Sequence, residues 1–157
     1  MSEVTVVDIP TQRVVGVRSR GCYSNIGGVI SQLFDYVASQ EGCKVVGSPV
    51  FVCHEIIEQE ALEADRKGNA DIEVCLPISG DVLEKGEFKV YDLRGGKMAR
   101  IVHHGAYEDC GPIYQNLFGW ILEHGLIVTG PTREVYLNNP DEIEKEQILT
   151  EILAPIG

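Results

Sequence analysis

Basic residues and long apolar runs are scarce in this sequence. Thirteen Lys and Arg stand against twenty-four Asp and Glu, which gives a formal net charge of −11 at pH 7. Nucleic-acid phosphates repel an acidic chain, so we expect no direct nucleic-acid partner. No apolar run approaches the ~18 residues of a membrane span, and the first four residues lack the basic and apolar regions of a secretory signal. We therefore expect no membrane partner and a cytoplasmic location.

The chain also lacks the residue spacings that bind metals or build a disulfide framework. It has five cysteines, an odd number with no C-x-x-C, which argues for reduced thiols. His103 and His104 are adjacent on a predicted strand, so they point to opposite faces and do not easily share one ion. Cys110 begins a predicted helix, but Glu108 and Asp109 beside it oppose a thiolate. We expect no metal and no cofactor, since phosphate-binding glycine patterns and a nucleophile elbow are absent too.

The sequence contains an internal repeat. Residues 6–37 align without a gap to residues 90–121 at an offset of 84, with seven identities where chance gives about two. The repeat covers about half of the chain, too long for a solenoid unit. We therefore predict one domain, residues 1–157, made of two fused modules at about 1–80 and 85–157. The seam between fused modules is a preferred place for a small-molecule site.

Each half has the pattern of two strands, a helix and two further strands. The first half predicts strands at Val4–Ile9, Arg13–Arg20, Val50–His54 and Asp71–Ile78, with a helix from Ser24 or Asn25 to about Gln40. The second half predicts strands at Glu87–Leu93, Lys97–His104, Arg133–Leu137 and near Leu149–Leu153, with a helix from about Asp109 to His124. The acidic stretches 55–67 and 139–146 are predicted to be solvated loops. The fold class is α+β, with helices packed on an antiparallel sheet.

Glu134 is the sharpest candidate for chemistry. The alternation of a strand puts Glu134 and Tyr136 on one face and Val135 on the other. A desolvated carboxylate beside an aromatic ring favours a ligand that brings its own positive charge. The alternative is an edge-strand glutamate paired with Lys or Arg at the surface.

Aromatic residues at equivalent places in the two halves are further candidates. Trp120, the only tryptophan, corresponds to Tyr36 in the repeat, and two such rings would form the walls of a cage for a flat or cationic guest. The alternative is that both belong to the apolar faces of amphipathic helices. Tyr114 has the same two interpretations. His54, at the place that corresponds to Tyr136, lines the pocket or is a surface histidine at a strand end.

Tyr23 and Tyr107 follow glycine in matching Gly-x-Tyr elements at the two strand-to-helix junctions. Their repetition predicts a structural role, because a function unique to one site need not occur twice. The glycines are expected to allow a tight turn into each helix.

Several segments together resemble one known family. They are the run from Gly96 to Glu108, then Tyr114-x-x-Leu117-x-x-Trp120-Ile121, Gly130-Pro131, the run from Glu134 to Pro140, and residues 70–78 and 150–152. This set is similar to the GyrI-like small-molecule-binding family, which also occurs as the effector-binding part of AraC-type and MerR-type multidrug regulators. The resemblance implies tandem strand-helix-strand-strand modules with a ligand cleft between them. It also implies a glutamate that meets lipophilic cations, here Glu134, with Trp120 and Tyr136 as aromatic neighbours.

The resemblance leaves three functions open. We favour the capture of lipophilic, cationic or planar compounds in an aromatic cleft with a central glutamate. The first alternative is hydrolysis of strained, cyclopropane-type electrophiles, with Glu134 as the general base. The second is a protein partner such as DNA gyrase. The chain has no helix-turn-helix segment, so any role in transcription is expected to need a separate regulator.

Overall fold

The computed structural model describes residues 3–157. Met1 and Ser2, which belong to the segment that lacks the features of a secretory signal, lie outside the described residues. The chain divides into two compact units, one of residues 11–94 and one of residues 95–157 together with the first ten residues. Within residues 3–157, no helix has the length and apolarity that a membrane span requires.

Strands and helices follow one another along the chain in the order that the repeat pattern predicts, with one additional strand, Cys43–Val45, and one additional helix, Glu58–Arg66. The elements in residues 3–157 are β1 (Thr5–Ile9), β2 (Gln12–Gly21), α1 (Ile26–Ala38), β3 (Cys43–Val45), β4 (Val50–Cys53), α2 (Glu58–Arg66), β5 (Ala70–Gly80), β6 (Lys89–Leu93), β7 (Gly96–His104), α3 (Gly111–Glu123), β8 (Thr132–Tyr136) and β9 (Leu149–Pro155). Single turns of 3-10 helix lie at Tyr23–Asn25, Tyr107–Asp109 and Lys145–Gln147. The α+β fold class is confirmed.

The unit of residues 95–157 contains an antiparallel sheet in the order β1-β7-β9-β8. Helix α3 packs on one face of this sheet, because its apolar residues recur at helical spacing. The core between helix and sheet consists of Ala99, Ile101, Cys110, Leu117, Ile121, Ile152, Ala154 and Ile156.

The unit of residues 11–94 contains an antiparallel sheet in the order β6-β2-β5-β4. The short strand β3 pairs with the end of β5. Helix α1 packs against β5 and buries Leu33 and Val37. Each unit therefore contains a path of four antiparallel strands with one long helix packed on it, while descent from a duplicated module stays a prediction.

The first strand of each sequence repeat pairs with the second strand of the other repeat. Strand β1 pairs with β7, from Thr5 opposite Arg100 to Ile9 opposite Gly96. Strand β6 pairs with β2 in the same way, from Gln12 opposite Leu93 to Gly16 opposite Lys89. The turn after β1 therefore does not close a hairpin with β2.

The prediction of a solvated loop over residues 55–67 is wrong. Nine of these residues form helix α2, Glu58–Arg66. Glu58 and Glu60 lie in its first turn and Arg66 in its last, which complements the helix dipole. Glu63 is also 2.7 Å from Arg66 and 3.2 Å from Lys67. Acidic composition suggested a loop, although most residues of this stretch are good helix formers.

Candidate functional site

Glu134 lies among phenol groups in the unit of residues 95–157. The Tyr136 hydroxyl donates to Glu134 Oε1 at 3.0 Å. The Tyr114 hydroxyl, which comes from helix α3, donates a short hydrogen bond to Glu134 Oε2. Each carboxylate oxygen thus receives one phenol donor, one from the same strand and one from the helix packed above it.

The strand register explains why these side chains meet. Residues opposite each other in an antiparallel sheet share a face. Glu134 lies opposite Ile152, and Ile152 lies opposite Ile101, so this row faces helix α3 with the apolar core. Two residues further along β8 a second row lies on the same face. This row consists of Tyr136, Thr150 and His103.

Glu134 is partly buried and has no Lys or Arg partner among the described residues. Burial raises the pKa of its carboxyl above the ordinary value, although the two phenol hydrogen bonds and His103 act in the opposite direction. Of the side chains in residues 3–157, no Lys or Arg forms a salt bridge with Glu134. Burial and the nearby carboxylate also raise the pKa of Tyr136 well above its usual value, so this phenol stays a hydrogen-bond donor. The alternative of a surface glutamate paired with Lys or Arg does not hold.

Tyr107 and Cys110 extend the cluster at the junction of β7 and α3. The ring of Tyr107 meets that of Tyr136 edge to face, with centroids 5.3 Å apart. Burial and then Glu134 raise the pKa of Tyr107. Cys110 is 7% exposed, and burial, Glu134 and its acidic neighbours raise the pKa of its thiol to about 12. A protonated thiol is a poor nucleophile, so Cys110 contributes packing to the site.

His103 and Thr150 carry buried polar atoms at the inner end of the cluster. His103 Nε2 is 2.8 Å from the carbonyl oxygen of Ala106. His103 Nδ1 and Thr150 Oγ1 are buried and make no hydrogen bond within the described residues. The sequence reasoning missed Tyr107, His103 and Thr150. Strand alternation from Ile101 was the signal for His103, since both residues face the helix.

Trp120 and Tyr36 have packing contacts of their own. Trp120 is partly buried against the core below α3 and stacks on His124, with ring centroids 3.9 Å apart. It follows Tyr114 by six residues, which places it about 120° around the helix. Tyr36 lies on α1, stacks on Phe88 at 4.0 Å, and donates a hydrogen bond to the carbonyl of Leu83. The structure brings Glu134, Tyr136 and Tyr114 together. The rings of Trp120 and Tyr36 stack on other residues, His124 and Phe88.

His54 belongs to a hydrogen-bonded chain in the unit of residues 11–94. Its Nε2 is 2.7 Å from Glu73 Oε1, and the Tyr91 hydroxyl donates to Glu73 Oε2 at 2.8 Å. Tyr91 reaches Glu73 by lying over Gly16, where an added Cβ would be 2.3 Å from the phenol oxygen. The interpretation of His54 as a surface histidine does not hold, because its side chain is 20% exposed and paired.

A metal centre finds no support in the arrangement of possible ligands. Throughout residues 3–157, no three side chains of His, Cys, Asp or Glu are grouped so that they would hold an ion. What the Glu134 cluster offers is a desolvated carboxylate, phenol rings and unpaired polar atoms. These groups suit a small organic molecule that carries a positive charge or hydrogen-bond donors.

The family model described as GyrI-like small molecule binding domain matches residues 2–156. A search of the curated proteins finds no match.

Several solved structures share the fold. The C-terminal domain of EcmrR is 17% identical with a TM-score of 0.86, and the match covers 100% of this chain and 98% of that one. In the EcmrR–DNA complex the identity is 18% and the TM-score 0.85, with 99% of this chain but only 57% of the EcmrR chain covered. This chain thus spans little more than half of the length of that EcmrR chain.

Two structures of lower similarity share the fold, one of a hydrolase and one of a protein with a bound ligand. A hydrolase encoded by lin2189 from Listeria innocua is 11% identical with a TM-score of 0.72, and the match covers 99% of this chain and 92% of that one. SAV2435, solved with bound tetraphenylphosphonium, is 15% identical with a TM-score of 0.59, and the match covers 99% and 94%. At such identities the likeness shows the fold alone.

Proposed function

Since the chain belongs to the GyrI-like small-molecule-binding family, we propose that it captures lipophilic, planar cations at Glu134. The observation that carries the proposal is a partly buried carboxylate whose oxygens accept two phenol hydrogen bonds and which forms no salt bridge with Lys or Arg in residues 3–157. Tyr114, Tyr136 and Tyr107 supply the rings, and Trp120 is proposed as a further aromatic contact for large guests.

Burying the negative charge of Glu134 has a free-energy cost. A desolvated carboxylate without a countercharge is unfavourable, and neutral phenols offset only part of that cost. A bound cation supplies the missing charge, and aromatic faces around it add cation–π attraction. The formal charge of −11 would also raise the local concentration of cations.

The comparisons support the class of ligand. SAV2435, which shares the fold, is known with the lipophilic cation tetraphenylphosphonium bound. EcmrR contains a domain of this fold and is known in complex with DNA. We propose that this chain also binds lipophilic cations. Binding to DNA gyrase or to a separate regulator stays a prediction.

The proposal is tested with one cation and its neutral counterpart. Fluorescence titrations at pH 8 would use 10-methylacridinium and neutral acridine, which have similar shapes. Glu134→Gln should reduce the preference for the cation by about 1–3 kcal/mol, the scale of a charge-assisted contact. Glu123→Gln removes one carboxylate from an exposed position at the end of α3 and is the control. Equal effects of the two substitutions would refute the proposal.

Hydrolysis of a strained electrophile is the second candidate. The raised pKa of Glu134 favours it, because a general base works best with a pKa near the working pH. The carboxylate would take a proton from water as the water oxygen bonds to one ring carbon and the strained C–C bond breaks. The electron pair of that bond would move to the neighbouring carbon, stabilised by the substrate's electron-withdrawing group, and the carboxylic acid would then return the proton to that carbon. Turnover of a cyclopropane-bearing electrophile should exceed the buffer rate and collapse in Glu134→Gln. Absence of turnover across a broad panel would leave binding alone.

A further inference from the structure

Two buried polar atoms beside the Glu134 cluster have no hydrogen-bond partner within residues 3–157. His103 is 4% exposed and Thr150 is fully buried, yet His103 Nδ1 and Thr150 Oγ1 make no hydrogen bond among the described residues. Buried polar atoms are nearly always paired, so such an exception indicates a partner from outside the chain. Thr150 lies between His103 and Tyr136 in the strand register.

The positions of the protons in this cluster determine what His103 Nδ1 and Thr150 Oγ1 can bind. Both atoms can accept a hydrogen bond from a ligand. The carbonyl of Ala106 only accepts, so His103 Nε2 carries a proton and donates it to that oxygen, and in the neutral imidazole the proton on Nε2 leaves Nδ1 without one. Nδ1 is then a bare acceptor. The hydroxyls of Tyr114 and Tyr136 donate their protons to Glu134 and therefore offer no further donor. Thr150 can accept as well as donate.

The spacing lets one ligand reach both rows. Neighbouring strands are about 5 Å apart, and Glu134 and Tyr136 are separated by about 7 Å along β8. A planar cation with two N–H donors would place its charge at Glu134 and direct a second N–H toward Thr150 and His103. A cation with alkyl groups on every nitrogen would leave both buried atoms unpaired.

We propose that His103 Nδ1 and Thr150 Oγ1 form a donor-recognising subsite, which makes the protein select protonated amines and amidines over fully alkylated cations. This inference rests on the proposed function and adds the chemical class of the ligand. His103 and Thr150 are the specificity-determining residues of the subsite, and Glu134 attracts cations of both classes.

The experiment compares two acridinium cations of equal charge. 9-Aminoacridinium carries N–H donors, whereas 9-dimethylamino-10-methylacridinium has none. Thr150→Val keeps the side-chain shape and removes the hydroxyl, and Thr129→Val at an exposed position is the control. In the wild type the amino cation should bind at least about tenfold tighter. Thr150→Val should lower that ratio about fivefold or more and change the Kd of the alkylated cation less than about twofold.

A second measurement covers the case in which Thr150→Val does not fold. Nitrogen-15 spectra of histidine-labelled wild type, assigned with His103→Gln, report the Nδ1 lone pair directly. Adding 9-aminoacridinium should shift the Nδ1 resonance as it accepts a hydrogen bond, and the alkylated cation should not.

The outcomes separate the two proposals. If both cations bind with a ratio near one, or if the ratio is the same in wild type and Thr150→Val, the subsite is refuted and cation capture stands. An unmoved Nδ1 resonance refutes it equally. If neither cation binds the wild type, the proposed function fails and the subsite fails with it.

Discussion

At the scale of single residues, the protein places a carboxylate where its charge is poorly solvated. Tyr114 and Tyr136 stabilise the ionised form of Glu134, but burial outweighs them and the pKa of the carboxyl is raised. The same environment holds the Cys110 thiol protonated. The cluster is therefore arranged for an electrostatic contact with a guest and not for a thiolate nucleophile.

Glu134 should make the fold less stable as the pH rises. Between the ordinary carboxyl pKa of 4.5 and the raised native value, the native state binds more protons than the unfolded state. The free energy of unfolding therefore falls with pH in this window and levels off above it. Urea unfolding across this range should show wild type losing stability relative to Glu134→Gln. A difference that grows in the other direction would mean that the native pKa is lowered.

Cys110 should resist alkylation. With a thiol pKa of about 12, Cys110 has little thiolate at pH 8 and its sulfur is buried. Iodoacetamide labelling followed by peptide mass spectrometry should modify it at least about 100-fold more slowly than the partly exposed Cys22. Comparable rates for the two cysteines would contradict the burial of the site.

At the scale of elements, glycine allows side chains to cross a strand. Tyr91 on β6 passes over Gly16 on β2 to reach Glu73 on β5, and His54 meets the other oxygen of the same carboxylate. Only a residue without a Cβ leaves room for the phenol. The hydrogen-bonded chain of His54, Glu73 and Tyr91 therefore depends on Gly16, which itself makes none of these hydrogen bonds.

Gly16→Ala should destabilise the protein by about 1–3 kcal/mol, because the new Cβ displaces the Tyr91 hydroxyl. In a Tyr91→Phe background the cost should shrink, since the hydroxyl is the closest atom to the new Cβ. Gly27→Ala, with no atom within 4 Å of the Cβ, is the control and should be neutral or stabilising. Urea unfolding of the four variants completes the cycle. Additive costs would show that Tyr91 does not lie over Gly16.

At the scale of the whole molecule, the chain has the GyrI-like fold with an exchange of first strands between the repeats. A strand that pairs outside its own repeat makes contacts of high sequence separation, which local patterns do not encode. The consequence is that strand β1 completes the sheet of residues 95–157.

Removing residues 1–10 should therefore expose one edge of β7 and leave β2 protected, because β7 loses one of its two partner strands and keeps β9, whereas β2 keeps both of its own. Hydrogen exchange read by residue should be about tenfold or more faster in β7. A chain without residues 1–3 keeps β1 and is the control. Faster exchange in β2 alone would mean that β1 pairs with β2.

The sequence alone determined the kinds and order of most elements, because the periods of helix and strand are local properties of the chain. Alternation in 133–137 put Glu134 and Tyr136 on one face, and helical spacing offered Tyr114. Helix α2 was not predicted, because the acidic composition of residues 55–67 was interpreted as a solvated loop. Only the tertiary structure decided that β8 pairs with β9 and β9 with β7, which brings Thr150 and His103 beside the carboxylate. Register between distant strands depends on packing of the whole sheet, so no local pattern could place Thr150 and His103 beside Glu134.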